Sequence, residues 1–316
     1  LYPENLDLYM GDMKAHGLNS LWSWPIGHVT MTPSGLQADF TRASTQAPGT
    51  QKFAHSFQET MEAYRRAGFN KPWIYGSLDS LLLILYHAGR ADPEDSNSAL
   101  AYVVDYTSQL RAFSQHYRYP EFDLLLIDEP GLYPGRLAST VQLHANMHAA
   151  FPQQRMVLDC APTSDEDLQL AVSLDRILYA DPNLVRKDFC DQNSIDFGNY
   201  NSGSGGRNPL IDRFCQGFWA VKAELQAVSN WVYAWRYSPH LPGNRYVFPA
   251  SDGPVPTPAW EAVRVGIYDQ RYLLTFQRLV DELSRSDRQD VRGSVANLQA
   301  QVDQLLAPIP VDRSDR

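Results

Sequence analysis

The sequence predicts an α/β protein of the (β/α)8 TIM-barrel type, and three observations carry that prediction. Short apolar runs alternate with helical periodicity from one end of the chain to the other, which indicates a parallel sheet covered by helices. Seven or eight such runs over 316 residues fit a barrel better than an open doubly wound sheet. One run, Phe122 to Asp128, ends in adjacent carboxylates, Asp128 and Glu129, followed by Pro130. Acids at the carboxyl end of a strand stand where barrel enzymes keep their chemistry.

Leu6 to His16 reads as a helix closed by Gly17, and Leu18 to Trp24 as a strand. A loop with Gly27, His28, Pro33 and Gly35 has room for a small hairpin. Phe53 to Ala67 is helical, with Phe53, Phe57, Met61 and Tyr64 on one face and Gly68 as its stop. Trp73 to Gly76 is a strand, Ser96 to Tyr117 a long helix, and Gly135 to Phe151 the helix after the Asp-Glu strand. Arg155 to Cys160 is the next strand, and Thr163 to Asp167 opens a helix with capping residues and first-turn acids. Arg176 to Ala180 and Ile195 to Asn199 are further strands, and Ile211 to Val228 is a helix. Trp231 to Tyr237 is a strand, and Arg245 to Phe248 is a candidate for the last one. Trp260 to Leu283 is a long helix, and Val291, Val295, Leu298, Val302 and Leu305 stripe a final amphipathic one.

No linker-like break in composition precedes Ser284, so residues 1–283 read as the barrel. Residues 284–316 read as a helix packed on it with a short tail. Because a helix comes first, the first barrel strand is expected either upstream of Leu1 or completed from there. The chain opens at Leu1 and shows no signal peptide, which reads as a processed protein or an excised piece.

A formal charge of −9 without a basic cluster argues against a nucleic-acid partner. Apolar runs such as Leu81 to Tyr86 are too short to span a bilayer. Cys160, Cys190 and Cys215 are scattered and form no disulfide framework. His144 and His148 lie four apart on a helix but lack the Glu of the zinc-protease motif, so no metal and no cofactor is expected. The loop Ser202 to Gly206 follows no phosphate-binding pattern, and no GxSxG elbow exists.

Like charges raise each other's pKa, so an adjacent acid pair in a cleft favours one neutral carboxyl beside an ionised one. The alternative is an acidic turn capping the helix that begins near Pro134. Pro130 and Gly131 bend the chain, which lets both acids reach one cleft. Trp22, Trp24, Tyr75, Tyr179, Tyr200, Trp235 and Tyr237 fall at or just after strand ends. Singly each is a core residue; together, around an acid pair, they point to a carbohydrate cleft in which rings stack on sugar C–H faces.

The strand ending in Ile127-Asp128-Glu129-Pro130, the segment Asn199-Tyr200-Asn201, the aromatic run Trp231 to Tyr237 and the stretch Asp252 to Asp269 together resemble the catalytic half of glycoside hydrolase family 123. Glu261, Arg264, Gly266, Ile267 and Asp269 match that family's late signature. Phe248-Pro249-Ala250 replaces its Tyr-Pro-Gly, and Thr257 to Trp260 departs from its Ser-x-Arg run. Members usually carry a β-sandwich domain before the barrel, and none is expected within these residues. The resemblance implies a retaining β-N-acetylgalactosaminidase in which the substrate's 2-acetamido oxygen, not an enzyme carboxylate, attacks the anomeric carbon. Carried over by position, Glu129 is the general acid/base and Asp128 orients the acetamido group. Tyr200 bonds the acetamido carbonyl, while Trp235 and Tyr237 wall the sugar site. Trp22, Trp24 and Tyr75 complete the expected substrate-binding set. The implied partner is a glycan or glycolipid terminus and the implied setting secreted or periplasmic. Two other readings stay open: a glycosidase without acetamido participation, with Asp181 as the second carboxylate, and a non-catalytic carbohydrate-binding barrel.

Overall fold

The computed structural model describes residues 5–23, 26–44, 55–76, 78–92, 95–130, 136–160, 174–230, 233, 246–250 and 252–312. Helix α1 (Leu6–Ala15) leads into β1 (Trp22–Ser23), which is followed by a hairpin of β2 (Gly27–Thr32) and β3 (Gly35–Ala43). Then come α2 (Phe57–Arg66), β4 (Trp73–Tyr75), α3 (Leu78–His87), α4 (Leu100–Tyr117), β5 (Phe122–Leu125) and α5 (Arg136–Ala150). The central strands are β6 (Met156–Cys160) and β7 (Arg176–Tyr179); α6 (Leu184–Asn193) separates β7 from β8 (Asp196–Asn199). The chain continues through α7 (Pro209–Gln216), α8 (Phe218–Lys222) and β9 (Ala227–Val228). A second hairpin, β10 (Val247–Ala250) with β11 (Gly253–Pro256), precedes the long helices α9 (Pro258–Leu283) and α10 (Gln289–Leu306).

Seven strands form one parallel sheet in the order β1-β4-β5-β6-β7-β8-β9. Every crossover moves in the same direction, whereas a doubly wound sheet reverses at a switch point. Strand register divides the sheet's two faces cleanly. Trp22 lies beside Ile74, Leu125 beside Val157, Asp159 beside Leu178, and Leu178 beside Gly198, which itself pairs with Ala227. Side chains from this face pack on one another: Ile74, Leu125, Val157, Leu178 and Tyr200 form one cluster, joined by Trp22, Ala180 and Ala227. All come from strands or strand ends, so the sheet is curled and its inner face packs on itself. That is the TIM-type arrangement. Gly198 belongs to this inner layer because a Cβ there would sit 2.5 Å from Leu178 Cδ2.

The opposite face, including Trp73, Tyr75, Leu124, Met156, Leu158, Ile177, Tyr179 and Phe197, packs into the large cluster beneath the helices. Period-two alternation puts Tyr75 there, since its neighbour Ile74 points inward. Tyr75 is fully buried, and its hydroxyl shares a 2.6 Å hydrogen bond with that of Tyr106. The expectation that Tyr75 touches substrate is therefore corrected: it is a core residue between sheet and helices.

Four element assignments also change. The stretch 211–228 is not one helix: α7 and α8 meet at Gly217 and the parallel strand β9 follows. Val247–Ala250 is an antiparallel hairpin strand outside the parallel sheet, not its last member. Helices α3 and α6 were not expected from sequence. Helix α3 is apolar nearly all round, with Leu78, Leu81, Leu82, Ile84 and Leu85 buried, so it lacks the amphipathic period that marks a surface helix. Helix α6 carries its start signal in Asn183, whose side chain accepts from Arg186 N–H at 2.9 Å.

Candidate active site

The inner face changes character along the barrel axis. At the amino ends of the strands Arg176 bridges Asp123 Oδ2 at 3.0 Å and Asp196 Oδ2 at 2.9 Å, and Arg155 also pairs with Asp196 Oδ2. The apolar layer stands above this ionic one. At the carboxyl ends, a group of acids surrounds Tyr200.

After Leu125 the chain leaves β5 with Leu126 and Ile127 still buried, and Asp128 and Glu129 half-buried. Glu129 adopts φ +44°, the left-handed region that non-glycine residues seldom enter. Its N–H donates to Asp159 Oδ1 at 3.1 Å. The bend that brings both acids to the mouth therefore includes Glu129 itself, held from the neighbouring strand β6, while Gly131 lies outside the described residues. Tyr200, just beyond β8, donates its hydroxyl to Glu129 Oε1 at 2.7 Å. The carboxyls of Asp128 and Asp159 lie against each other, close enough for one to share a proton with the other.

The electrostatics follow from crowding three acids into a partly closed space. Burial pushes the Asp128 pKa up; the Asp159 hydrogen bond opposes this and the Glu129 charge adds to it. Asp159 is completely buried, and burial followed by the Asp128 charge and hydrogen bond raises it well above the usual carboxylate range. Burial, then the Glu129 hydrogen bond and charge, raises the Tyr200 phenol, so it stays a protonated donor. The site thus offers a proton-bearing pair beside a carboxyl oriented by a phenol, which is equipment for general acid–base chemistry.

Of the expected site residues, Asp128, Glu129 and Tyr200 come together at the mouth, and Trp22 is half-buried against the inner cluster. Tyr75 points away, as described. Trp24, Trp235 and Tyr237 lie outside the described residues. Asp181, the alternative second carboxylate, is ion-paired with Arg186. Tyr179 is fully buried on the outer face. His144 is also fully buried; its ring nitrogens face the carbonyls of Thr140 and Val157 at 2.8 and 3.2 Å, and burial lowers its pKa to about 4.

Asp159 was missed from sequence, although it carries the same signal as Asp128: an acid near the carboxyl end of an apolar strand, Met156-Val-Leu-Asp-Cys160. The matched residues of the late signature are structural. Glu261 bonds Arg264 and His16, Asp269 holds Arg213, and Gly266 allows α9 to lie close against α7.

No protein-family model matches this sequence, and no curated protein matches it. Among solved structures, it is similar to ScGas2 in complex with compound 9 (TM-score 0.48, 10% identity, 86% of this chain and 63% of that one). It is also similar to a protein described as a glycoside hydrolase (TM-score 0.44, 13% identity, 89% of this chain and 67% of that one). A third is TsXylA, an intracellular xylanase from Thermoanaerobacterium saccharolyticum (TM-score 0.43, 11% identity, 83% of this chain and 93% of that one). The chain spans less than two thirds of the length of ScGas2.

Proposed function

We propose that this protein is a glycoside hydrolase that removes β-linked N-acetylhexosamine, with N-acetylgalactosamine as the preferred sugar. The observation that supports this most directly is the meeting of Asp128, Glu129 and Tyr200 at the carboxyl-terminal mouth of the parallel barrel. Adjacent carboxyls from one strand end suit a substrate that supplies its own nucleophile. They grip one amide and one leaving oxygen from the same side, whereas a separated acid–nucleophile pair flanks the bond. In this reading Glu129 protonates the glycosidic oxygen, and Asp128 holds the acetamido N–H while its carbonyl oxygen attacks the anomeric carbon. Glu129 then takes a proton from the water that opens the oxazolinium. The protonated Tyr200 phenol orients Glu129 from the ground state onward; an acetamido carbonyl bound in the same place would share that donor. Trp22 lies on the inner face below this site, and the proposed carbohydrate partner would enter above it.

The test is Glu129→Gln assayed on an aryl β-N-acetylgalactosaminide and the matching glucosaminide. Loss of a positioned general acid costs roughly 10²–10⁴-fold in rate. Turnover equal to the unsubstituted protein overturns the assignment, and activity on plain galactosides of the same order as on the acetamido sugars overturns the substrate-assisted step.

A further inference from the structure

The least expected member of this site is Asp159. It lies on the inner face of β6 between Leu158 and Cys160 and has no exposed surface. Its Oδ1 accepts the Glu129 N–H at 3.1 Å. Its Oδ2 is buried and receives no donor from the described residues. A buried carboxylate oxygen without a donor is costly, and the group that lies against it, Asp128, is itself a carboxyl group. Two carboxylates cannot hydrogen-bond to each other unless one carries a proton. Asp159 is the more deeply buried of the two, so the proton is better placed there.

We propose that Asp159 is a positioning residue of this site, fixing the Glu129 backbone through one oxygen and donating its own proton from the other to Asp128. The role rests on the proposed hexosaminidase reading for its catalytic meaning. The proton and the backbone tie stand without it. Among the described residues, the ionisable groups that face Asp159 are Asp128 and Glu129 from the end of β5 and Tyr200 from the end of β8. A protonated Asp159 leaves Asp128 as the acceptor, which is the state needed to receive an acetamido N–H. The same residue holds Glu129 at positive φ, so one side chain sets the directions of both neighbours. Burial and the Asp128 charge act in concert with this arrangement, both favouring the neutral form of Asp159.

Asparagine copies a protonated aspartic acid, with an oxygen for the Glu129 N–H and an N–H for Asp128. The experiment therefore compares Asp159→Asn with Asp159→Ala in the full chain. Thermal melting across pH reads the proton without any assay of hydrolysis. A folded-state pKa raised above the usual 3.8 contributes stability that is complete below 3.8 and lost as pH rises through the folded value. Asp159→Asn should melt with the unsubstituted protein at the acid end, then increasingly above it as pH rises. A variant that melts below it at neutral pH overturns the proposal, because that result requires a stabilised carboxylate. In steady-state turnover of an aryl N-acetylhexosaminide, Asp159→Asn should keep kcat within about tenfold while Asp159→Ala loses about a hundredfold or more. Equal losses in the two variants, or no loss in either, overturn the positioning role. Absence of turnover in the unsubstituted protein counts against the hexosaminidase reading alone, and the melting comparison still decides the proton. If Asp159→Ala does not fold, Asp159→Asn still decides both points, since a loss of kcat beyond about tenfold in it overturns the positioning role.

Discussion

The Tyr200 hydroxyl donates to Glu129 Oε1 at 2.7 Å across 71 positions of sequence. Two strands, β6 and β7, stand between β5 and β8 in the sheet. A direct bond between the ends of β5 and β8 requires the sheet to be strongly curled, so the contact reports the barrel and builds the site at once. It also gives the Glu129 carboxyl a defined orientation, which under the proposed function is the preorganisation that acid–base chemistry benefits from.

Tyr200→Phe removes that donor while leaving the ring in the inner cluster. A hydrogen bond of this kind contributes about 0.5–1.5 kcal/mol, so kcat on an aryl N-acetylhexosaminide should fall roughly 2- to 10-fold, with a correspondingly small loss of melting temperature. Steady-state kinetics beside a thermal melt check this. A variant with native kcat would show that the phenol does not orient Glu129 during turnover.

The ionic layer at the opposite end of the barrel makes a prediction about stability alone. Arg176 is mostly enclosed and lies 3.0 Å from Asp123, whose carboxyl is almost completely buried. Burial pushes the Asp123 pKa up, while Arg176 and then Arg155 pull it down. Arg176→Met leaves Asp123 as a buried charge without its principal partner, which costs about 3–5 kcal/mol. Arg155 and the solvent around it lessen this, since Arg155 also draws the Asp123 pKa down and its side chain is more than a third exposed. Urea unfolding at neutral pH measures the loss. A change below about 1 kcal/mol, the scale of exposed pairs, would mean that solvent screens the layer throughout.

Gly266 tests the crossing of α9 over α7. A Cβ there would stand 2.5 Å from the Arg213 carbonyl oxygen and 2.8 Å from Gln216 Cβ. Exchanging a mid-helix glycine for alanine gains up to ~1 kcal/mol of helix propensity. Backbone cannot yield as a flexible side-chain tip does, and overpacking costs about 1–3 kcal/mol, so the clash wins. Gly266→Ala should lower stability, and it should also weaken the neighbouring Arg213–Asp269 pair, held by contacts of 2.6 and 3.1 Å. An increase in melting temperature would show that the two helices slide apart at little cost.

The parts of this molecule legible in sequence are those where one local signal has one meaning. Phe122 to Glu129 shows both its strand and its acids, because an apolar run that ends abruptly in charge fits a buried strand emerging at a polar rim. Tyr200 was legible by its place after a strand, as was Tyr75, yet only Tyr200 faces the mouth. The difference is strand parity: it is readable once a single inward residue of the strand is known, and the sequence alone does not supply that residue. Asp159 carries the same strand-end signal as Asp128 but has no adjacent acid to mark it out, and its significance shows only in its contact with the end of another strand. Strand β9 was hidden for a related reason: Ala227 and Val228 are too short a run to separate from the helical pattern before them, and only pairing with Gly198 and Asn199 defines them. Helix α3 shows the opposite failure, where leucines on nearly every face, the exposed Leu83 included, erase the polar–apolar periodicity that identifies a helix.

His16 gives the clearest pH dependence outside the site. It closes α1 and stacks on Trp260 with ring centroids 4.6 Å apart. Its Nδ1 faces the Asp12 carbonyl at 2.9 Å and carboxylate at 3.2 Å, and its Nε2 faces Glu261 Oε1 at 3.2 Å. Acceptors stand at both nitrogens, and only the doubly protonated ring satisfies both. Burial pulls the pKa down, but the Asp12 contacts and then Glu261 outweigh it and the net direction is up from 6.5. A raised folded-state value means that His16 contributes stability in full below 6.5 and loses it as pH rises through the folded pKa. Asp12 works from the other side. Its carboxylate also accepts from Tyr233 and Trp260, and although burial opposes them, these bonds with those of His16 hold its pKa below 3.8. Its contribution is therefore present above 3.8 and lost as pH falls through the depressed value. The staple between α1 and α9 is strongest where Asp12 is ionised and His16 still protonated. Urea unfolding should accordingly show stability declining above pH 6.5, and His16→Gln should remove that decline while lowering stability on the acid side of it. A His16→Gln variant that keeps the full alkaline slope would assign the slope to another group.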